Sequence, residues 1–327
     1  MTAQKYLTAC RIAAVSIATL MISNASAQSA PDSVTVPGAR AFPESITSTS
    51  DGTLYVGSLA SGGVSRVPPG GAEAQAWIAP GAFGTRSTFG LLADEKTGTL
   101  WVCSNDASAL GVPGPGDVKG SFLKGFDLKT GEGRVSVAFP DGPSLCNDIA
   151  IGPDGSAYVT NSFAPDILRL RPGAKTFEVW LTNPLFTPPA KGAGLDGIAF
   201  GRDGTLYVDT YNKAQFFRVA VQDGKPGAVT ELHPSRALVL ADALRPLSDG
   251  TFLLVEGSGS LDRVTIDGDT PKIETLKEGF LTPTGTTVVG KTAWVAEGQL
   301  PVLFDAEKKG DGAKLPFRLY AVPLSAH

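Results

Sequence analysis

Along the chain, short alternating apolar runs come in pairs, and a tight polar turn joins the members of each pair. The clearest pair is Cys146-Asn147-Asp148-Ile149-Ala150-Ile151 and Ala157-Tyr158-Val159-Thr160-Asn161, joined through Pro153-Asp154-Gly155. Ile149 and Ile151 share one face, and the Pro-Asp-Gly segment is turn chemistry, so the stretch predicts a β-hairpin. Asp51-Gly52, Asp203-Gly204 and Asp249-Gly250 stand in the same frame, two of them followed by Thr-Leu-Tyr-Val. Thr97-Gly98 before Leu100-Trp101-Val102, and Gly290-Lys291 before Ala293-Trp294-Val295, are degenerate copies.

The turn positions 51, 97, 154, 203, 249 and 290 are separated by 46, 57, 49, 46 and 41 residues. A period of roughly 40–50 residues with several short strands per unit predicts an all-β protein, a six-bladed β-propeller with four-stranded blades. A sandwich or barrel does not explain six recurrences in one frame. The 39 Gly and 24 Pro, with no long stretch of helical periodicity, agree with β structure throughout. Outer strands are expected at places such as Phe217 to Ala220 and Val229 to Leu232. Ser33 to Pro37 and Phe317 to Leu324 read as terminal strands that complete one blade between them and so remove an exposed edge. Ser104 to Gly125 and Pro184 to Gly194 read as long loops, either over one channel mouth or as plain surface insertions.

Residues 1–27 carry the pattern of a secretory signal. Lys5 and Arg11 precede or open a short apolar run from Ile12 to Ile22, and Ala25-Ser26-Ala27 is an A-x-A cleavage pattern. That run is too short to span a bilayer, which needs about 20 residues. The remainder, 28–327, is expected to be one propeller domain, exported to the periplasm or secreted, acting without a membrane anchor and as a monomer. Loss of Lys5 and Arg11 moves the formal charge from −4 to −6. With no basic run, that balance argues against nucleic acid and for a small-molecule substrate as partner. Cys10 leaves with the signal, so Cys103 and Cys146 are the two cysteines of an exported chain and are expected to pair.

Seven positions before four of the turn aspartates stands a side-chain oxygen: Glu44, Asn147, Asp196 and Asp242. The degenerate repeats carry Phe89 and Pro283-Thr284 there. Repeats share apolar positions because those build the core; they have no core reason to share a carboxylate or carboxamide at a strand start. If the first strands line the channel, the four converge at one mouth, where three carboxylates need a compensating cation. An all-oxygen set suits Ca²⁺ first, with Mg²⁺ or Mn²⁺ as other divalent ions. Zn²⁺ is disfavoured, since apart from the terminal His327 the exported chain offers only His233, Cys103 and Cys146. Each of the four can instead hydrogen-bond within its own blade. The turn aspartates are turn formers, and Asp209, Tyr211 and Asn212 read as local hydrogen bonders.

Pro43-Glu44, Cys146-Asn147-Asp148 with its Pro-Asp-Gly turn, Leu195-Asp196-Gly197-Ile198-Ala199-Phe200, and Val208 to Asn212 together resemble the senescence-marker-protein/gluconolactonase family, which is related to paraoxonases. The resemblance implies a six-bladed propeller with one catalytic divalent cation held by a Glu, one or two Asn and an Asp. The matching positions are Glu44, Asn147, Asp196 and Asp242, with Asp196 standing where the family often has Asn. The expected reaction is metal-dependent hydrolysis of a lactone or related ester, with Asp242 as general base. Asp148 is a candidate supporting residue, and Arg245 either reaches a substrate carboxylate or pairs with an acid of a neighbouring blade. The alternatives are a non-catalytic ligand-binding propeller and a condensing enzyme of the strictosidine-synthase type.

Overall fold

Each predicted hairpin is the inner half of a four-stranded antiparallel sheet, and six such sheets make a β-propeller. The computed structural model describes residues 31–324 together with Met1; the signal segment therefore lies outside the described residues apart from Met1. The innermost strands of blades 1 to 6 are Pro43–Ser48, Ser87–Asp94, Cys146–Ile151, Leu195–Phe200, Ala241–Pro246 and Pro283–Val289. Each packs on the innermost strands of the two blades beside it, and blade 6 meets blade 1, so the ring is closed. Each sheet keeps its inner edge, but closure turns those edges toward the channel and away from another chain.

Blade 6 is built from both ends of the propeller. Its order runs from Pro283–Val289 through Thr292–Glu297 and Phe317–Pro323 to Ser33–Val36, which pairs antiparallel with Phe317–Pro323. The terminal strands thus complete one blade, as their isolation in the sequence predicted.

The turns owe their recurrence to one local device. The carboxylates of Asp154, Asp203 and Asp249 accept the backbone N–H and the hydroxyl of the Ser or Thr two residues on, and Asp51 accepts the N–H of Thr53. The glycine after each aspartate takes a positive φ, between 76° and 91°, which only Gly adopts without strain. These aspartates are therefore occupied by their own turns.

Tyr158 and Tyr207, from the Tyr-Val runs after two of those turns, seal neighbouring blades. Tyr158 meets Phe200 of blade 4 at 5.0 Å between ring centroids, and Tyr207 meets Phe252 of blade 5 at 5.1 Å. Such tilted and edge-on contacts suit the ring quadrupoles.

One connection differs from expectation. The expected loop over 104–125 is shorter, because Thr99–Asn105 and Ser121–Asp127 pair along their whole length, Ser104 opposite Phe122. Leu123 and Phe126 are buried on opposite faces of that strand, in two different core clusters, so burial on both sides outweighs the surrounding Gly and Pro. The irregular part is 106–120. A further connection, 298–316 in blade 6, carries the single α-helix among the described residues, Leu300–Leu303.

Candidate active site

Every innermost strand slips register against its hairpin partner at the same place, close to its first residues. In blades 1, 3, 4 and 5 the pairing jumps from Pro43 to Ile46, Cys146 to Ile149, Leu195 to Ile198 and Ala241 to Leu244. Two residues fall inside each slip, a bulge that frees their side chains from the regular alternation. The first of the two is Glu44, Asn147, Asp196 or Asp242. In blade 2 it is Phe89, between Thr88 and Leu91, and in blade 6 it is Thr284, whose hydroxyl donates to Pro43 O at 2.9 Å.

The second bulge residue varies around the ring. It is Ser45, Asp148 and Ala243 in blades 1, 3 and 5, and Gly90 and Gly197 in blades 2 and 4; in blade 6 only Thr284 falls inside the slip, and Gly285, the residue after it, pairs with Ala296. A Cβ on Gly90 would lie 2.0 Å from Asn147 O, and one on Gly197 would lie 2.5 Å from both Asp209 Oδ2 and Asp242 O. Positions 90 and 197 must therefore be glycine for the backbones to close around the channel.

Glu44, Asn147, Asp196 and Asp242 border one cavity of about 560 Å³, and all four are buried. Asn147 Nδ2 donates to Asp196 Oδ2 at 2.9 Å and to Ser162 Oγ at 2.8 Å, linking blades 3 and 4. Ala243 N–H donates to Asp242 Oδ1 at 2.9 Å. Glu44 Oε2 is buried and has no hydrogen-bond partner.

Burial raises the Glu44 carboxyl well above the ordinary carboxylate range, and the charges of Asp242 and Asp148 push the same way. Asp196 is raised well above it too, first by burial, then by the charges of Asp242 and Asp209. Asp242 is likewise raised by burial, with the Ala243 N–H opposing and the Asp148 charge reinforcing. The Tyr211 phenol on the same cavity is lifted by burial and by the Asp242 and Asp196 charges. The common cause is burial of negative charge, which the Arg245 charge offsets only in part at Glu44 and Asp242.

Arg245 does not supply a cation to the cavity. Its guanidinium grips Asp148 in a fork, Nη1 to Oδ2 at 2.6 Å and Nη2 to Oδ1 at 2.8 Å, and also donates to Leu244 O. Asp148 in turn accepts from Ile149 N and Ile198 N, so the pair ties blades 3, 4 and 5 together. Neither residue borders the 560 Å³ cavity. Arg245 borders a second, smaller cavity of about 280 Å³ formed by the other ends of the innermost strands. Arg245 thus pairs with an acid, but one two blades away on blade 3 rather than on the neighbouring blade the sequence suggested, and it does not border the larger cavity where it could meet a substrate carboxylate.

Oxygen donors of this kind suit a hard divalent ion, and the partnerless Glu44 oxygen and the raised carboxyls are what a missing positive charge produces. Glu44, Asn147, Asp196 and Asp242 would hold it, with the Asn147 amide turned to present Oδ1. Among the described residues no group of three or more Asp, Glu, His or Cys side chains is drawn close enough to hold a metal ion by itself. His233 sits between blades 4 and 5, its N–H bonded to Asp269 O, away from the cavity.

Cys103, late in the second strand of blade 2, and Cys146, at the start of blade 3, form a disulfide with Cα atoms 5.2 Å apart. Asn105 reinforces the same junction, accepting from Cys146 N and donating to Cys146 O. Together they fix the strand start that presents Asn147. Closing a 43-residue separation contributes about 4 kcal/mol in the chain-entropy description.

Several cavity residues lay beyond sequence reasoning. Phe89 looked like a failed repeat, yet it forms a wall; Leu300 and Phe304 come from the blade 6 connection, and Leu110 from the 106–120 loop. Asn212, expected as a local hydrogen bonder, accepts from Ala193 N at 2.6 Å while bordering the cavity. Asp209 accepts from Gly197 N at 3.0 Å, leaving its buried Oδ2 without a partner. Only the bulge frame could have drawn attention to Phe89.

No family model matches the chain. No curated protein matches it in sequence. Among solved structures, the gluconolactonase from Xanthomonas campestris is similar with a TM-score of 0.64 at 16% identity, over 90% of this chain and 88% of that one. The major allergen Mala s 1 of Malassezia sympodialis gives a TM-score of 0.70 at 14% identity, over 91% and 98%. Virginiamycin B lyase from Staphylococcus aureus gives 0.59 at 16% identity, over 88% and 83%. The gluconolactonase resemblance carried by the motifs thus has its counterpart in three dimensions, and these likenesses establish the propeller fold while the chemistry rests on the cavity.

Proposed function

We propose that the protein is an exported, divalent-cation-dependent hydrolase of a lactone or related ester, with Ca²⁺ the first choice of ion. The observation that carries this reading is the group of three buried carboxylates and one carboxamide on a single cavity, with Glu44 Oε2 partnerless and no Lys or Arg among the residues that border it. A cation held there would supply Lewis acidity to the substrate carbonyl. Asp242 takes the proton of the attacking water as general base, its plane fixed by the Ala243 N–H. Asn147, pinned by Ser162, and Asp196 set the floor against which the carbonyl is placed. The similarity to a gluconolactonase supports the reaction class, and residues 1–27 with the Cys103–Cys146 bridge support export to an oxidising compartment.

The test is hydrolysis of sugar, alkyl and aryl lactones by the purified protein, with and without chelator. Ca²⁺-restorable activity is expected, and activity indifferent to chelation overturns the metal role. The likeness to a lyase names a second reading, in which Asp242 removes a proton from carbon. Reaction in ¹⁸O-water separates the two, because hydrolysis puts solvent oxygen into the acid product and elimination does not.

A further inference from the structure

The cavity that holds the oxygen donors is otherwise lined mainly by apolar side chains, with Tyr211 and Asn212 the remaining polar ones. Its apolar walls come from one strand and five separate connections: Leu59, Leu145 and Phe89 are buried, while Phe163, Leu110 and Phe304 are more exposed. Leu300, one turn before Phe304, continues the same wall. Leu110 and Phe304 are 36% and 41% exposed, large apolar side chains facing water at the rim of one opening. The polar groups beside them are largely engaged: Asn212 Oδ1 is taken by Ala193 N, and Asn147 Nδ2 by Ser162 and Asp196.

The rim is held in place rather than loose. Arg86, buried beneath the 106–120 loop, donates to Val118 O at 2.8 Å and to Ser108 Oγ at 3.2 Å, contacts Pro113 O, and pairs with Asp106 at 3.1 Å. The loop that carries Leu110 is therefore anchored by one guanidinium at four points. On the other side, Gln299 holds the blade 6 connection by accepting from Lys314 N at 2.8 Å and donating to Lys314 O at 2.9 Å. A preformed apolar funnel over a polar floor matches a ligand with one polar end and one hydrocarbon end.

From this we infer that the substrate is a lipophilic lactone or ester, with an alkyl or aryl tail lying between Leu110, Phe163 and Phe304, rather than a polyhydroxylated sugar lactone. The inference rests on the hydrolase reading for the word substrate, and on the cavity alone for the tail. A sugar lactone places a hydroxyl on nearly every ring carbon, and most of them would lose water against Leu and Phe with no replacement bond. A tail gains instead, each fully buried methylene multiplying affinity about fourfold.

The experiment compares glucono-δ-lactone, γ-butyrolactone and γ-dodecalactone with the Ca²⁺-loaded full chain. The expected result is a kcat/KM for γ-dodecalactone at least about 50-fold above that for γ-butyrolactone, as burial of three or more methylenes requires. Leu110→Asp and Phe304→Asp, both at the exposed rim, should each cut that ratio. A flat chain-length profile, or a preference for glucono-δ-lactone, overturns the inference. If no lactone is turned over, the hydrolase reading falls and calorimetry decides the inference separately. Tighter binding of γ-dodecalactone than γ-butyrolactone by the same margin, weakened in Leu110→Asp, sustains it, and equal or absent binding of the two overturns it.

Discussion

Two groups of buried acids both draw on blade 5, one wholly and one through Asp242 alone, and they are built on opposite terms. On the outer strands, Glu256 and Asp262 are both buried, and Arg236 bridges them, 2.6 Å from Glu256 Oε1 and 2.8 Å from Asp262 Oδ1. Ser260 and Thr275 fill the remaining Asp262 positions at 2.8 and 2.6 Å. At the channel, Asp242 joins Glu44 and Asp196 with the nearest guanidinium, Arg245, committed to Asp148. Compensation in the first group is partial, since burial still raises Glu256. Even so, one group closes its own charge and the other leaves it open. A buried carboxylate with a partner is architecture; one without a partner, on a cavity, asks for something from solution.

The sharpest way to break this comparison is Asp242→Asn. On a confirmed substrate it should lower kcat by about 10²–10⁴-fold, the usual worth of a general base, while the thermal midpoint stays level or rises because one of three repelling charges is gone. Wild-type turnover in that variant would remove Asp242 from the chemistry. Arg245→Leu should act in the other direction, costing about 3 kcal/mol in urea unfolding, because Asp148 would be left buried and alone. Adding Asp148→Leu to it should recover much of the loss, which a purely steric effect would not.

The outer cluster gives the matching measurement. Arg236→Met should destabilise by about 2 kcal/mol, less than the Arg245 change because the Arg236 side chain is 37% exposed and water screens what remains. Ca²⁺ should not rescue that variant, whereas it should raise the midpoint of the wild type. The smallest effect is pH-dependent. Glu44, Asp196 and Asp242 have native pKa values above their unfolded ones, so the native state holds more protons than the unfolded state in that interval. Their contribution to stability is therefore fullest below the ordinary carboxylate range and falls as pH rises from about 4 through the raised values. A midpoint-against-pH series in chelator should show that fall, and Ca²⁺ should flatten it. A chelated protein that gains stability over the same interval relative to Asp242→Asn would contradict the open-charge description.

Much of this was legible in the chain. Asp154, Asp203 and Asp249 each hold the residue two ahead through its N–H and hydroxyl, so the turns announce themselves by local chemistry that needs no tertiary partner. Counting from those turns finds Glu44, Asn147, Asp196 and Asp242, because a hairpin fixes the register between its turn and its far end. The 104–125 segment misled for the same local reason: its Gly and Pro suggested a loop, and the pairing of Ser104 with Phe122 is decided by a strand buried on both faces.

What the sequence determined alone is whatever follows from spacing within one hairpin: the blade count, the turn aspartates, and the frame of four oxygens. Only the tertiary structure decided what depends on one blade meeting another. Closing the ring brings the backbones of adjacent innermost strands so near that Gly90, Gly197 and Gly285 can carry no side chain. It also turns Arg245 to Asp148 across two blades, and it sets Leu110 and Phe304, nearly two hundred residues apart, at one opening. Those contacts are non-local, and a pattern read along the chain carries no term for the distance between blades.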